Sequence, residues 1–197
     1  MNSEIEKVLS KTFSNHFNLT GLDWSNLSPV VKLVKHKKNS VIRQADKIET
    51  NLYYILEGST ASILFKKDKL VCIDLCFKDE FSGDYQSLLT QQRSGLEIRA
   101  ITDSVILSIP FDGLFKIYSQ KPKIEMERIG RISAERLYIL KNKEVIDLKT
   151  RSAKERYLTL LNQQPELLQK ISLKYLAAYL GISAESLSRI RKELVAK

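Results

Sequence analysis

The 197-residue chain has only two cysteines, Cys72 and Cys76. Two thiols cannot build a disulfide framework, and they cannot complete a zinc or iron–sulfur site alone. They stand four positions apart in a stretch of strand character, so they are expected to face one side and to be buried as small apolar groups. No run of about 18 apolar residues occurs, so no membrane-spanning helix and no membrane partner are expected. The opening MNSEIEKVLSKTF alternates charged and apolar residues and lacks the apolar segment of a signal peptide, which makes a cytoplasmic location the expectation. The two histidines, His16 and His36, have no neighbour at metal-ligand spacing, and no metal site is expected. Nucleophile-elbow, P-loop and HExxH patterns are all missing. No catalytic residues are assigned and no enzyme is expected.

What is abundant is positive charge, unevenly placed. The chain carries 32 Lys and Arg against 23 Asp and Glu, a net +9. Residues 1–120 have a net charge of +1, residues 121–150 of +3 and residues 151–197 of +5. A near-neutral body with a basic end points to a polyanionic partner at that end.

The hydrophobic period changes along the chain. Residues 1–30 show helical spacing at Ile5, Val8, Leu9, Phe13 and Phe17, broken by Leu27-Ser28-Pro29. From residue 31 to residue 110, short runs of Val, Ile, Leu and Tyr alternate with turns such as HKKNS, EGS and KKDK. The spacing predicts about eight antiparallel strands, enough for a jelly roll. After Pro110 the pattern is helical: a short helix in FDGLFKIYSQ, then a long one entered at Pro122. Met126, Ile129, Ser133, Leu137, Leu140, Glu144 and Leu148 repeat at gaps of three or four, and Ile132, Ile139, Val145 and Ile146 widen the stripe. A helix of about 25 residues is about 37 Å long. That is more than one small β domain covers, so part of it is expected to pack on a second copy of the chain. A further helix begins with a capping box at Ser152 and Glu155, and Pro165 is expected to end it.

The stretch ISLKYLAAYLGISAESLSRIRKELVAK, residues 171–197, fits a helix–turn–helix. Leu176 and Leu180 face inward, Ala177 sits at the closest approach, and Gly181 takes the turn at positive φ. Ser183 caps the second helix, and Leu187 and Ile190 pack it back. Glu185, Ser188 and Arg189 share one exposed face. Glu accepts from a cytosine amino group and Arg binds guanine O6 and N7 with two bonds, so these three are the candidate base-reading residues. Lys174, Arg191 and Lys192 are the candidate phosphate contacts.

With these motifs in place, the chain resembles the Crp/Fnr family of bacterial transcription regulators over nearly its whole length. NLYYILEGSTASI resembles that family's strand–glycine–strand signature around Gly58. FSGDYQSLL is similar to the start of its phosphate-binding cassette, and IRAITDSVILSIP to its closing strands. SAESLSRI resembles its recognition helix, with Glu185, Ser188 and Arg189 on matching positions. There the family reads a half-site resembling TGA. The resemblance implies a candidate effector pocket at Gly83, Asp84, Arg93 and Ser94. Cyclic-AMP-binding members need a carboxylate and, ten residues later, an arginine. Asp84 stands at the first position, Ser94 at the second, and Arg93 one residue early. A threonine of those members falls near Leu140, an apolar residue. Cyclic AMP is therefore not expected, no cofactor is assigned, and the chain resembles a divergent member with no β wing after its second helix.

The reading is an α+β protein: an antiparallel β jelly roll, a long dimerisation helix and a C-terminal helix–turn–helix domain. Residues 1–120 form a cyclic-nucleotide-binding-like sensor domain, 121–150 the dimerisation helix and 151–197 the DNA-binding domain. The expected function is that of a homodimeric, sequence-specific regulator binding double-stranded DNA, with an effector of unknown identity. The alternative is a ligand-binding or scaffold module whose tail no longer binds DNA.

Overall fold

A computed structural model describes residues 2–17, 21–67, 69–120 and 122–195. Helix α1 (Asn2–Phe17) precedes strands β1 (Lys32–His36), β2 (Val41–Arg43), β3 (Asn51–Glu57), β4 (Ser59–Lys66), β5 (Lys69–Phe77) and β6 (Phe81–Ser82). Helix α2 (Tyr85–Thr90) separates these from β7 (Glu97–Ala100) and β8 (Ser104–Pro110). The rest is helical: α3 (Phe111–Tyr118), α4 (Lys123–Thr150), α5 (Ala153–Gln163), α6 (Pro165–Lys170), α7 (Leu173–Leu180) and α8 (Ala184–Val195). The strands form two four-stranded antiparallel sheets, ordered β1-β8-β3-β6 and β2-β7-β4-β5. The expected class is therefore the observed one, antiparallel jelly roll first, long helix next, short helices last.

The layers follow from side-chain alternation. On one outer face, Tyr54, Leu107 and Ile109 pack with Ile5, Leu9 and Phe13 of α1 and with Trp24 and Leu27. On the other, Ala61, Ile63, Cys72, Leu75 and Phe77 pack with Tyr157, Leu168, Tyr175, Leu176 and Leu180 of the C-terminal helices. Between the sheets the lining is partly polar. Thr60 of β4 donates to Ser82 of β6 at 2.9 Å, and Ser59 shares a 3.0 Å hydrogen bond with Thr102.

Gly58 makes the β3–β4 corner. Its φ is +87°, and a Cβ there would lie 2.8 Å from Ser104 Cα and against the Asp103 carbonyl, so no other residue fits without moving backbone. A bulge reorganises β5. Ser62 pairs with Asp74 but Ile63 with Cys72, leaving Ile73 as the extra residue, 48% exposed. The extra residue reverses the alternation, so Cys72 and Cys76 point to opposite faces, not to one as their spacing predicts. Cys72 packs under the C-terminal helices. Cys76 opposes Thr60 on the face toward Ser82. Both thiols are buried, and burial pushes Cys72 up to about 12.

The helices also depart from expectation in two places. Pro165 does not simply end α5; after a break at Gln164 it opens α6. The 28-residue α4 uses its stripe on two sides. Ile129 packs on the α1 side of the body, Arg136 donates to the His16 carbonyl at 2.7 Å, and Lys141 pairs with Asp74 at 2.7 Å and Glu144 at 2.9 Å. The opposite side carries Ile124, Tyr138, Ile139, Val145 and Ile146, all exposed. Leu140 and Leu148 of the main repeat are exposed as well, so the uncovered apolar surface takes in both the main repeat and the residues that widen it, while Ile129 lies against the chain's own body.

Candidate functional sites: a self-paired pocket and a basic helix face

The first site lies where β6 runs into α2. Gly83, at φ +140°, delivers Asp84 to the N-terminus of α2. Asp84 is buried and caps the helix, its Oδ1 accepting from Ser87 N at 3.0 Å. Its Oδ2 lies 3.4 Å from Nη1 of Arg43. Arg43, on β2, is 6% exposed. Nη1 also donates to the Leu96 carbonyl at 2.7 Å, and Nη2 to the Lys47 carbonyl and the Ser87 hydroxyl. Nε stands 3.6 Å from Glu49 Oε2 and has no hydrogen bond. Glu49, 1% exposed, accepts from the Thr50 and Asn51 amides at 3.1 Å and from the Tyr53 hydroxyl at 3.2 Å. Burial pushes the Glu49 carboxyl above the usual carboxylate range, against the pull of the Asn51 amide and Arg43.

One guanidinium therefore faces two buried carboxylates, and its donors are nearly all engaged. Of the expected pocket residues, Gly83 and Asp84 belong to this cluster. Arg93 does not: it is exposed. Ser94 is half-buried and holds the loop instead. Its carbonyl accepts from Asp46 N at 2.8 Å, its amide donates to Lys47 O at 3.2 Å, and its hydroxyl accepts from Leu96 N at 3.2 Å. Sequence reasoning missed Arg43, Glu49 and Ser87. A signal existed: Arg43 is the one arginine among the first 92 residues, where every other cation is lysine. Arg is the residue suited to a buried, multiply bonded position.

The second site is the α7–turn–α8 unit. Gly181 holds φ +69° in the left-handed region, and its N–H closes α7. Arg156 adds a 2.6 Å bond to the Leu180 carbonyl. The Ser183 hydroxyl accepts from Ser186 N at 3.1 Å and caps α8, whereas Ser172 makes no side-chain cap on α7. Leu176, Ala177, Leu180 and Leu187 are buried between the helices. Glu185, Arg189 and Lys192 are exposed on α8, Ser188 is half-buried, and Lys174 is exposed on α7. The Ser183 side chain and a backbone N–H hold the Glu185 carboxyl below its usual range. Arg191 departs from the expected phosphate set. It is half-buried, with its guanidinium carbon 5.6 Å from the centre of the Tyr157 ring and a buried, unpartnered Nε, so it packs α8 onto α5.

Residues 33–121 match the cyclic nucleotide-binding domain family. Among solved structures, FixK2 from Bradyrhizobium japonicum is similar at 18% identity and a TM-score of 0.68, over 84% of this chain and 85% of that one. The chain has the Crp/Fnr fold. A Crp/Fnr-family protein from Eubacterium rectale superposes with a TM-score of 0.67 at 16% identity, over 94% of this chain and 88% of that one. DNR from Pseudomonas aeruginosa does so at 0.58 and 15% identity, over 95% and 87%. No match was found among curated proteins. Within the Crp/Fnr fold, the Arg43 cluster sits inside the matched domain and the α7–α8 unit lies beyond it. Among the described residues, no helix is long and apolar enough to cross a membrane, and no group of His, Cys, Asp and Glu is placed to hold a metal ion.

Proposed function

We propose that the chain is a homodimeric, sequence-specific DNA-binding transcription regulator whose jelly roll is held by its own Arg43 and not by a cyclic nucleotide. The observation that carries the reading is the exposed start of α8. Glu185 and Arg189 project from one face of a helix fixed by Gly181 and Ser183, with Lys174 and Lys192 exposed around them. Arg and Glu on that face suit guanine and cytosine edges in the major groove, and the lysines suit phosphates. The uncovered side of α4 supports a dimer, since a second copy laying Tyr138, Ile139, Val145 and Ile146 against its own removes them from water. Two copies of α8 about 34–36 Å apart reach successive major grooves.

The pocket supports regulation without cyclic AMP. A cyclic phosphate entering beside Asp84 meets two carboxylates and a guanidinium already bonded to both the cassette and the β2 turn. The position of α7 and α8 is then set by their packing on β5.

The test is selection of bound duplexes from a random pool, followed by titration of wild type and Arg189→Ala on the selected site. The variant is expected to lose about 1–3 kcal/mol and to relax choice at one base pair. If wild type retains no duplex even at low salt, the alternative of a ligand-binding or scaffold module replaces this reading.

A further inference from the structure

We infer that Arg156 is the positioning residue that sets the separation of the two copies of α8, and with it the half-site spacing that the dimer accepts. The inference rests on the dimeric DNA-binding reading above and assigns a role that no base or phosphate contact supplies.

The backbone between the long helix and the helix pair is short. Helix α4 ends at Thr150 and α5 starts at Ala153. Arg151 and Ser152 lie between them, both extended, at φ −108° and ψ 143° and at φ −64° and ψ 158°. This joint is where the C-terminal helices turn relative to α4. With 11 residues, α5 is about 16 Å long, so a turn of about 12° at the joint moves its far end by about 3.4 Å, one base-pair step.

Arg156 spans the joint. Its Nη1 donates to the Leu148 carbonyl at 3.3 Å and to the Arg151 carbonyl at 2.8 Å, and its Nη2 donates to the Leu180 carbonyl at 2.6 Å. Leu148 and Arg151 stand at the C-terminal end of α4, and Leu180 is the last residue of α7. One guanidinium on α5 thus joins the long helix to the first helix of the pair. Local preference does not put a cation there. Arg156 follows the capping Glu155 near the N-terminus of α5, the positive end of its own helix dipole. Its charge is favourable instead toward the C-terminal ends of α4 and α7, where the last carbonyls have no partner within their helices.

The remaining hold on α7 is of another kind. Tyr157, Tyr175, Leu176 and Leu180 pack on Ile63, Cys72 and Leu75 of the jelly roll. Apolar burial is non-directional, so it keeps α7 on the sheet without fixing its angle. The Arg156 fork supplies directional bonds between α7 and α4. Helix α8 follows, held to α5 by Arg191 on the Tyr157 ring and by Lys154, 2.7 Å from Glu193. In a dimer joined along α4, this angle occurs twice and sets the distance between the two copies of α8.

The experiment compares full-length wild type, R156K and R156Q on four duplexes: the site selected above, that site with one base pair added or removed between its half-sites, and a single half-site. Wild type is expected to bind the selected site on the order of tenfold tighter than either respaced one, because two half-sites engaged together gain avidity that the wrong geometry forfeits. In both variants that ratio should fall below about threefold, while affinity for the single half-site, which needs one subunit, stays within about twofold of wild type. Lysine keeps the charge, but its one nitrogen cannot stand where Arg156 places two. An R156K protein with the wild-type ratio therefore overturns the inference. So does an equal loss on all four duplexes, which would mean that Arg156 only keeps the helix pair folded. If thermal unfolding shows R156Q unfolded at the assay temperature, the R156K ratio alone decides. A wild type that selects a single half-site, or binds the respaced sites as tightly as the selected one, overturns the inference and leaves the DNA-binding reading intact. A wild type that binds no duplex overturns both.

Discussion

The jelly roll buries a cation, and the described residues of the C-terminal helices bury none. In the jelly roll, Arg43 is turned inward and bonded to Asp84, Leu96, Lys47 and Ser87, with Glu49 beside it. In the helices, Lys174, Arg189 and Lys192 are turned outward. Even there the separation is by position: Arg156 closes α7 and Arg191 stacks on Tyr157, so part of the basic excess is structural. A buried cation whose partners are all protein groups fixes a loop. An exposed one without partners is available to a ligand. Arg43 is thus committed to its own fold, while Lys174, Arg189 and Lys192 are left for the proposed DNA partner.

The largest expected effect comes from reversing the inner arrangement. Arg43→Met leaves Glu49 and Asp84 buried with no cation, and stability should fall by about 3–5 kcal/mol. Adding Glu49→Gln and Asp84→Asn to it removes the stranded charges, and a good part of the loss should return, since Asn still caps a helix. Denaturant unfolding of the single and triple variants decides it. Equal stabilities for the two would mean that Arg43 acts only through its carbonyl bonds. Lys174→Ala, by contrast, should leave stability within about 0.5 kcal/mol of wild type.

The next effect tests the uncovered side of α4. Ile146→Asp puts a charge where a second copy is proposed to sit, and the penalty for burying it unpaired is several kcal/mol. Sedimentation should show a dimer for wild type and a monomer for this variant at the same concentration. An unchanged dimer would place the subunit contact elsewhere on the molecule.

Much of this was legible in the sequence, and the exceptions have physical causes. Strand and helix order were readable because hydrophobic period and turn residues act locally. The cap at Ser152, the left-handed Gly181 and the cap at Ser183 were readable for the same reason. The faces of Cys72 and Cys76 were not, because one bulged residue at Ile73 inverts a strand and leaves no mark in a run of apolar residues. The direction of the α4 stripe was not, because a helix apolar on two sides does not say which side meets its own body. Arg43 was missed because its partners, Glu49, Asp84 and Leu96, come together only through the two-sheet topology. The family pattern drew attention to Arg93, which the fold leaves in water.

The smallest effect is an expected absence of change, and it bears on what holds the pocket shut. Thermal unfolding with millimolar cyclic AMP should match unfolding without it. A ligand present at about 100 times its dissociation constant adds about 2.7 kcal/mol, several degrees for a chain of this size, so binding of ordinary strength is easily seen. The expectation of no shift rests on charge. A phosphate anion entering the cluster would have to take Arg43 from Asp84 and from the Leu96 and Lys47 carbonyls, leaving those groups buried and unpaired. Arg93 lies outside, and Ser94, the residue at the family's arginine position, already bonds to Asp46, Lys47 and Leu96 through its backbone and hydroxyl. A clear upward shift that Arg93→Ala removes would mean that the loop carrying Arg93 turns inward to meet the nucleotide. A shift that survives Arg93→Ala but is lost in R43M/E49Q/D84N would mean that Arg43 exchanges its internal partners for the phosphate. Either outcome would move the control of this molecule from its packing to a ligand.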